Sequence, residues 1–114
     1  MRNTRPISWI KAARRDFEDF PEDVQGVMLS ALTIAAEGSK SDKAKPFQGV
    51  DGGVFEIALG HRGDAFRVIY AVKIGADIWV IHAFQKKSKT GIKTPQTEVD
   101  LIRERLKRLK EALR

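Results

Sequence analysis

The hydrophobic pattern divides the chain into three stretches with different periods. Ile7-Ser8-Trp9-Ile10 is a short apolar run, readable as an edge strand. Lys11 to Phe17 reads as a short helix, favoured by Ala12 and Ala13. Pro21 is placed to open a second helix at its first position, with Glu22 and Asp23 at the positive end. Val24, Val27, Met28, Ala31, Leu32 and Ala35 recur every three or four residues and predict one buried stripe. Gly38 is a natural stop, and Ser39 to Gly53, rich in Ser, Lys, Asp, Pro and Gly, reads as a loop.

The period then changes to two. Val54 to Leu59 places Phe55, Ile57 and Leu59 on one face and Glu56 and Ala58 on the other. After a turn at Gly60 to Asp64, Ala65 to Lys73 forms a long strand, with Phe66, Val68, Tyr70 and Val72 opposed to Arg67, Ile69 and Ala71. Gly75-Ala76-Asp77 is a tight turn. Ile78 to Phe84 is apolar on both faces, which predicts an interior strand, and simple alternation puts Val80, His82 and Phe84 on one face. Three strands joined by short turns make an antiparallel meander. Thr94 can cap a last helix with Pro95 at its first position, and Val99, Ile102, Leu106, Leu109 and Leu113 draw an amphipathic stripe along it. The expected architecture is α+β: a short N-terminal strand, two helices, a three-stranded antiparallel meander completing a small sheet, and a basic C-terminal helix.

Charge adds a second layer. Residues 84–114 hold ten Lys/Arg against four acids, whereas the first 83 residues hold eleven of each. The whole excess of +6 therefore lies in the last 31 residues, an asymmetry that points to a polyanionic partner. A length of 114 residues fits one domain, 1–114. The absence of cysteine excludes disulfides, cysteine nucleophiles and cysteine zinc sites, and fits a reducing cytoplasm. Two histidines make a poor metal site, so no metal and no cofactor are expected. No segment is apolar for long enough to span a bilayer, and Met1 to Pro6 has no apolar signal core, so the expected location is the cytoplasm with no membrane partner.

Three segments carry a family signal: Phe66-Arg67-Val68-Ile69-Tyr70, then Phe84-Gln85-Lys86-Lys87-Ser88-Lys89, then Lys93-Thr94-Pro95 leading into the last helix. This run of an aromatic-Arg-aliphatic strand followed by a Lys-rich segment and Lys-Thr-Pro resembles the RelE-like toxins of bacterial toxin–antitoxin pairs, most closely the phage-related HigB-type branch. The resemblance is specific from about Phe55 onward. It implies a metal-independent endonuclease that cuts mRNA in the ribosomal A site, by attack of a 2′-hydroxyl on the adjacent phosphate. The products are a cyclic phosphate and a 5′-hydroxyl. It also implies a cognate antitoxin with a helix-turn-helix. This chain departs from the family pattern in having Glu56 and Ala58 where two lysines would meet RNA. It also lacks a tyrosine after the basic segment, and its only tyrosine, Tyr70, faces away from Arg67.

Such cleavage needs a proton acceptor, a charge to hold the phosphorane and help for the leaving 5′-oxygen. Arg67 falls on the motif arginine, and its planar fork suits two phosphate oxygens. Its alternative is an ion pair with Glu56 on the neighbouring strand, and the two roles are compatible. Lys86 and Lys87 are like charges in sequence, each lowering the other's proton affinity toward the range of a general base, or else are solvated surface lysines. His82 reads as a satisfied core residue with a base role as the alternative. Lys89 and Lys93 are expected to contact phosphates, and Phe84 to stack on a base. Arg62, with His61, lies in the turn before the Arg67 strand and is expected to reach RNA or to face solvent. Trp9 and Trp79 are expected in the core. Two other readings stay open: a non-catalytic RNA- or protein-binding module of phage origin on the same fold, and a gyrase-directed toxin of the ParE type.

Overall fold

The computed structural model describes residues 4–50, 52–86 and 94–113. The chain runs β1 (Ile7–Trp9), α1 (Lys11–Glu18), α2 (Glu22–Ala36), β2 (Ala44–Pro46), β3 (Val54–His61), β4 (Asp64–Ala71), β5 (Ile78–Lys86) and α3 (Gln96–Ala112). The five strands form one sheet in the order β1-β5-β4-β3-β2. The meander β3-β4-β5 is antiparallel, as the period-two pattern predicts. β1 joins it as an edge strand, parallel to β5.

One strand went unpredicted. β2 lies inside the segment read as a loop, pairing antiparallel with β3 through Ala44↔Ile57, Lys45↔Glu56 and Pro46↔Phe55. It is three residues long and contains a proline, features that blunt a sheet edge and hide the strand from periodicity. The first helix and the meander strands otherwise lie within a few residues of their predicted limits.

The sheet is covered on both faces. Phe17, Val24, Met28, Leu32 and other α1 and α2 residues pack on Ile57, Phe66, Val68, Tyr70, Ile78 and Val80. On the opposite face, Ile102, Leu106 and Leu109 of α3 pack on Val54, Ile69, Ala71, Ile81 and Phe84. Leu113, predicted in this stripe, is 47% exposed, because it lies at the C-cap, past the last turn that reaches the sheet.

A register shift in β5 decides which residues face α3. Ile69 pairs with His82 but Tyr70 pairs with Val80, so Ile81 is an extra residue on β5. Val80 packs with α1 and α2, Ile81 with α3, and from there the alternation is reversed. The expectation that Val80, His82 and Phe84 share a face is therefore corrected: Val80 lies on one face, and Phe84, with His82 stacked on it, on the other. Bulges shift one strand against its neighbour by one residue in this way. Arg105 of α3 supports the irregularity by donating to the Ile81 carbonyl at 3.1 Å.

Both prolines sit one position earlier than predicted. Pro21 and Pro95 have extended ψ values of 146°, and their carbonyls accept the first helical bonds, so they are N-caps. Thr94 consequently lies outside α3 and does not cap it. At the other end of the chain, Arg5 fastens β1 to the β4–β5 turn, donating to the carbonyls of Val72, Ala76 and Asp77 at 2.8–2.9 Å.

Candidate functional site

The face of the sheet beneath α3 collects the charged groups. β3 contributes Glu56, β4 contributes Arg67 and β5, after its bulge, contributes Lys86. Glu56 and Arg67 are 3% and 7% exposed, and Lys86 is buried too. Arg67 Nη1 donates to Glu56 Oε2 at 2.8 Å, a diagonal ion pair across the β3–β4 ladder. Ala58, the residue directly opposite Arg67, leaves room for the guanidinium. The predicted ion pair is therefore present, and it is buried, so neither partner could be removed cheaply.

Thr94 completes the cluster. Its hydroxyl lies 3.3 Å from Glu56 Oε2 and 3.4 Å from Arg67 Nη1. The side chain predicted to cap α3 instead bridges the start of that helix to the ion pair. Lys45 of β2 approaches the second carboxylate oxygen of Glu56, at 3.9 Å, and keeps most of its side chain in solvent.

Lys86 lies on the same face, and its pKa is lowered. Burial is the larger cause, the positive charge of Arg67 adds to it, and Glu56 opposes both. In the sequence the expected source of such a shift is the neighbouring Lys87. Among the described residues the nearby cation responsible is Arg67, brought there by the fold. Lys87, Lys89 and Lys93 lie outside the described residues.

His82 is tied into α3. Its Nε2 is 3.1 Å from Glu98 Oε2 and its Nδ1 is 3.0 Å from Arg105 Nη1, while the ring stacks on Phe84 at 4.9 Å. Its pKa is lowered, first by burial. Arg105 pushes the same way, against Glu98 and Asp16. Both ring nitrogens are engaged, so the arrangement is that of a core joint. Phe84 is 9% exposed, covered by that ring and by α3, which leaves little of its face for a nucleobase.

Arg62 is not brought to this cluster. Arg62 and Gly63 have φ values of 51° and 85° and form a two-residue hairpin turn in the left-handed region, the form that matches strand twist. Arg62 lines a separate cleft of about 410 Å³ with Asp19, Asp23, Asp64 and Phe66, the last of which packs on the α1–α2 side of the sheet.

A second cleft, of about 450 Å³, opens directly beside Arg67 and Glu56. Its walls come from the β2–β3 connection, with Phe47, Gln48 and Gly49, and from the first turns of α3, with Gln96, Val99 and Arg103. These two segments lie some fifty residues apart, so no local signal in the sequence joins them.

Comparisons with known proteins bear on the family and the fold. Residues 15–107 match the model of a family described as phage-derived protein Gp49-like. The chain belongs to this phage-derived Gp49-like family. A comparison with curated protein sequences found no match. Among solved structures, the chain is similar to a double arginine-to-alanine mutant of the E. coli toxin RelE in the free state. The TM-score is 0.62 at 16% identity, over 92% of this chain and 97% of that one. It is also similar to a chain of the Mycobacterium tuberculosis toxin–antitoxin complex RelBE2. There the TM-score is 0.50 at 16% identity, over 75% of this chain and 94% of that one. This member of the Gp49-like family thus has the RelE-like fold that its strand and lysine motifs predict.

Proposed function

We propose that this protein is the toxin of a toxin–antitoxin pair, acting as a metal-independent endonuclease on mRNA in the ribosomal A site. The observation that carries the reading is the position of Arg67: fixed by Glu56 and Thr94, beside Lys86, and at the wall of an open cleft. In this reading the neutral amine of Lys86 takes the proton of the 2′-hydroxyl. The 2′-oxygen then attacks phosphorus, Arg67 holds the non-bridging oxygens, and the bond to the 5′-oxygen breaks. That oxygen leaves as a hydroxyl with a proton from the Lys86 ammonium or from solvent. The lowered pKa of Lys86 suits it to exchange a proton. Glu56 aims the guanidinium and takes the place of the family's lysines. Lys87, Lys89 and Lys93 add attraction for the RNA backbone, as their charge run predicts. A cognate antitoxin, carrying a helix-turn-helix as in the HigB-type branch, is the expected partner.

The test is expression of the chain alone, with growth and mRNA ends followed together. Wild type should arrest growth and create new 5′-hydroxyl ends in translated mRNA, and a folded Arg67→Lys variant should do neither. Equal arrest by both would remove Arg67 from the mechanism. In a ribosome assay the rate should climb with pH, and Lys86→Arg should lose that dependence because arginine does not titrate.

One observation favours a second reading. The guanidinium charge is already matched by a buried carboxylate where relatives carry lysines. A binding module without nuclease activity would leave mRNA intact and growth unaffected.

A further inference from the structure

A third cleft, of about 310 Å³, opens where the C-terminal end of α2 meets the start of β3 and the end of β4, and Tyr70 lines it from the α1–α2 side of the sheet. We propose that this cleft binds a small monocarboxylate carrying an apolar group, held by the Tyr70 hydroxyl, Arg5 and Lys40. The proposal stands apart from the endonuclease reading. Tyr70 and Arg67 are three residues apart on β4 and face opposite sides of the sheet.

Tyr70 carries the argument. The residue is 1% exposed, and its hydroxyl has no hydrogen-bond partner among the described residues. Its oxygen is not wholly enclosed, and the cleft is where it opens. Burial pushes the pKa up to about 12, so the group stays a neutral O–H donor through the physiological range. A nearly buried donor without a protein partner calls for a water or a ligand to answer it.

Charge sets the class of ligand. Arg5 and Lys40 line the cleft, and among the described residues no acid does. Three backbone carbonyls fix Arg5, with Nε on Ala76 and Nη2 on Val72 and Asp77, which leaves Nη1 uncommitted. Lys40 Nζ donates to the carbonyls of Ser41 and Ala44 at 3.2 and 2.8 Å and has a third N–H to spare. All these partners are neutral, so both charges remain for an anion. The last carbonyls of α2 do not stand bare before it: Ile34, Ala35 and Ala36 accept from the N–H groups of Ser39, Gly38 and Arg5 at 2.9–3.1 Å. The helix still turns its negative end this way, which offsets part of the two cations and favours one negative charge over a phosphate dianion. Phe55 and Val72 supply apolar surface, and the partly buried Phe55 ring is stacked on Tyr70 at 5.5 Å. The volume is at the small end of ligand pockets and suits one carboxylate with one apolar group the size of a side chain. A free organic acid and the C-terminal residue of a peptide share that chemistry.

The full chain is titrated with phenylacetate, its neutral amide phenylacetamide, N-acetylphenylalanine and inorganic phosphate, followed by amide chemical shifts. Phenylacetate should bind about tenfold more tightly than phenylacetamide and more tightly than phosphate, with shifts centred on Gly38, Phe55 and Tyr70. Tyr70→Phe removes one oxygen and keeps the ring, so the fold should stay intact while affinity falls roughly tenfold. Lys40→Gln, at an exposed position, should weaken binding roughly threefold. Equal binding of acid and amide, preference for phosphate, shifts centred on Arg67 and Thr94, or unchanged affinity in Tyr70→Phe each overturn the proposal, as does absence of binding by both acids. The comparison of acid with amide uses wild type alone, so it decides even where a variant fails to fold. Tighter binding of N-acetylphenylalanine than of phenylacetate supports the site as a receptor for peptide ends, and the reverse order supports free acids; either order upholds the monocarboxylate.

Discussion

At the scale of single residues, the site is governed by what burial does to charge. Glu56 and Arg67 are each tolerable inside the protein only because the other is there. Removing one leaves an uncompensated buried charge, so Glu56→Ala should cost about 3–5 kcal/mol of stability. Replacing both partners with leucine should recover much of that loss, since an apolar pair carries no desolvation penalty. Denaturant melts of the two variants check this, and a double variant as unstable as the single one contradicts it. Arg62 offers the opposite case. Its φ of 51° strains a side chain that nothing in the buried core requires, and glycine is relaxed there. Arg62→Gly should therefore raise stability by roughly 1 kcal/mol, seen as a shifted urea midpoint with an unchanged slope.

At the scale of elements, the sheet was legible wherever a strand had two unlike faces. Glu56 and Ala58 against Phe55, Ile57 and Leu59 gave away β3, and Arg67 against Phe66 and Val68 gave away β4. That same alternation makes the Glu56–Arg67 pair readable from the sequence, since it sets both residues on one face of neighbouring strands. The bulge in β5 was hidden for the complementary reason. Ile78 to Phe84 is apolar on both faces, so an extra residue breaks no pattern. The consequence is large, because the reversal at Ile81 sets Phe84 on the face opposite the one that simple alternation predicts. Deleting Ile81 should leave β5 a regular strand with the pairs from Ile69↔His82 to Ala65↔Lys86 unchanged, so Lys86 keeps its place beneath α3. The expected outcome is a cooperative but weaker fold, with a buried isoleucine side chain lost at a cost of about 2–5 kcal/mol in a denaturant melt, whereas deletion of a residue in the exposed Ser39–Lys40 segment should cost little. The cleft was illegible because two distant segments build it, and Thr94 was misread because a threonine before Pro95 looks like a cap.

At the scale of the molecule, α3 is held to the sheet by a titratable joint as well as by apolar contacts. His82 meets Glu98 and Arg105 of α3 and feels Asp16 of α1. Its pKa in the folded protein lies below the ordinary 6.5. The unfolded chain then binds more protons at mildly acid pH, so stability rises with pH through this window and falls as pH drops below about 6.5. Chemical denaturation at pH 7.5 and 5.5 should show that loss in wild type, and His82→Gln should show less of it. A variant with the same acid sensitivity as wild type would place the effect on other groups.

The parallel pairing of β1 with β5 has a consequence for the order of assembly. The contacts of Arg5 join positions 71 residues apart, from Arg5 to Ala76, and β5 is also the strand on which α3 closes. β1, made before the other described strands, must therefore wait for β5, made after them, before it has a neighbour. Such long-range closures form slowly. A chain interrupted before β5 has no seat for β1, no Lys86 and no floor for α3. The face of the sheet beneath α3 comes into being only once β5 and α3 have both been made.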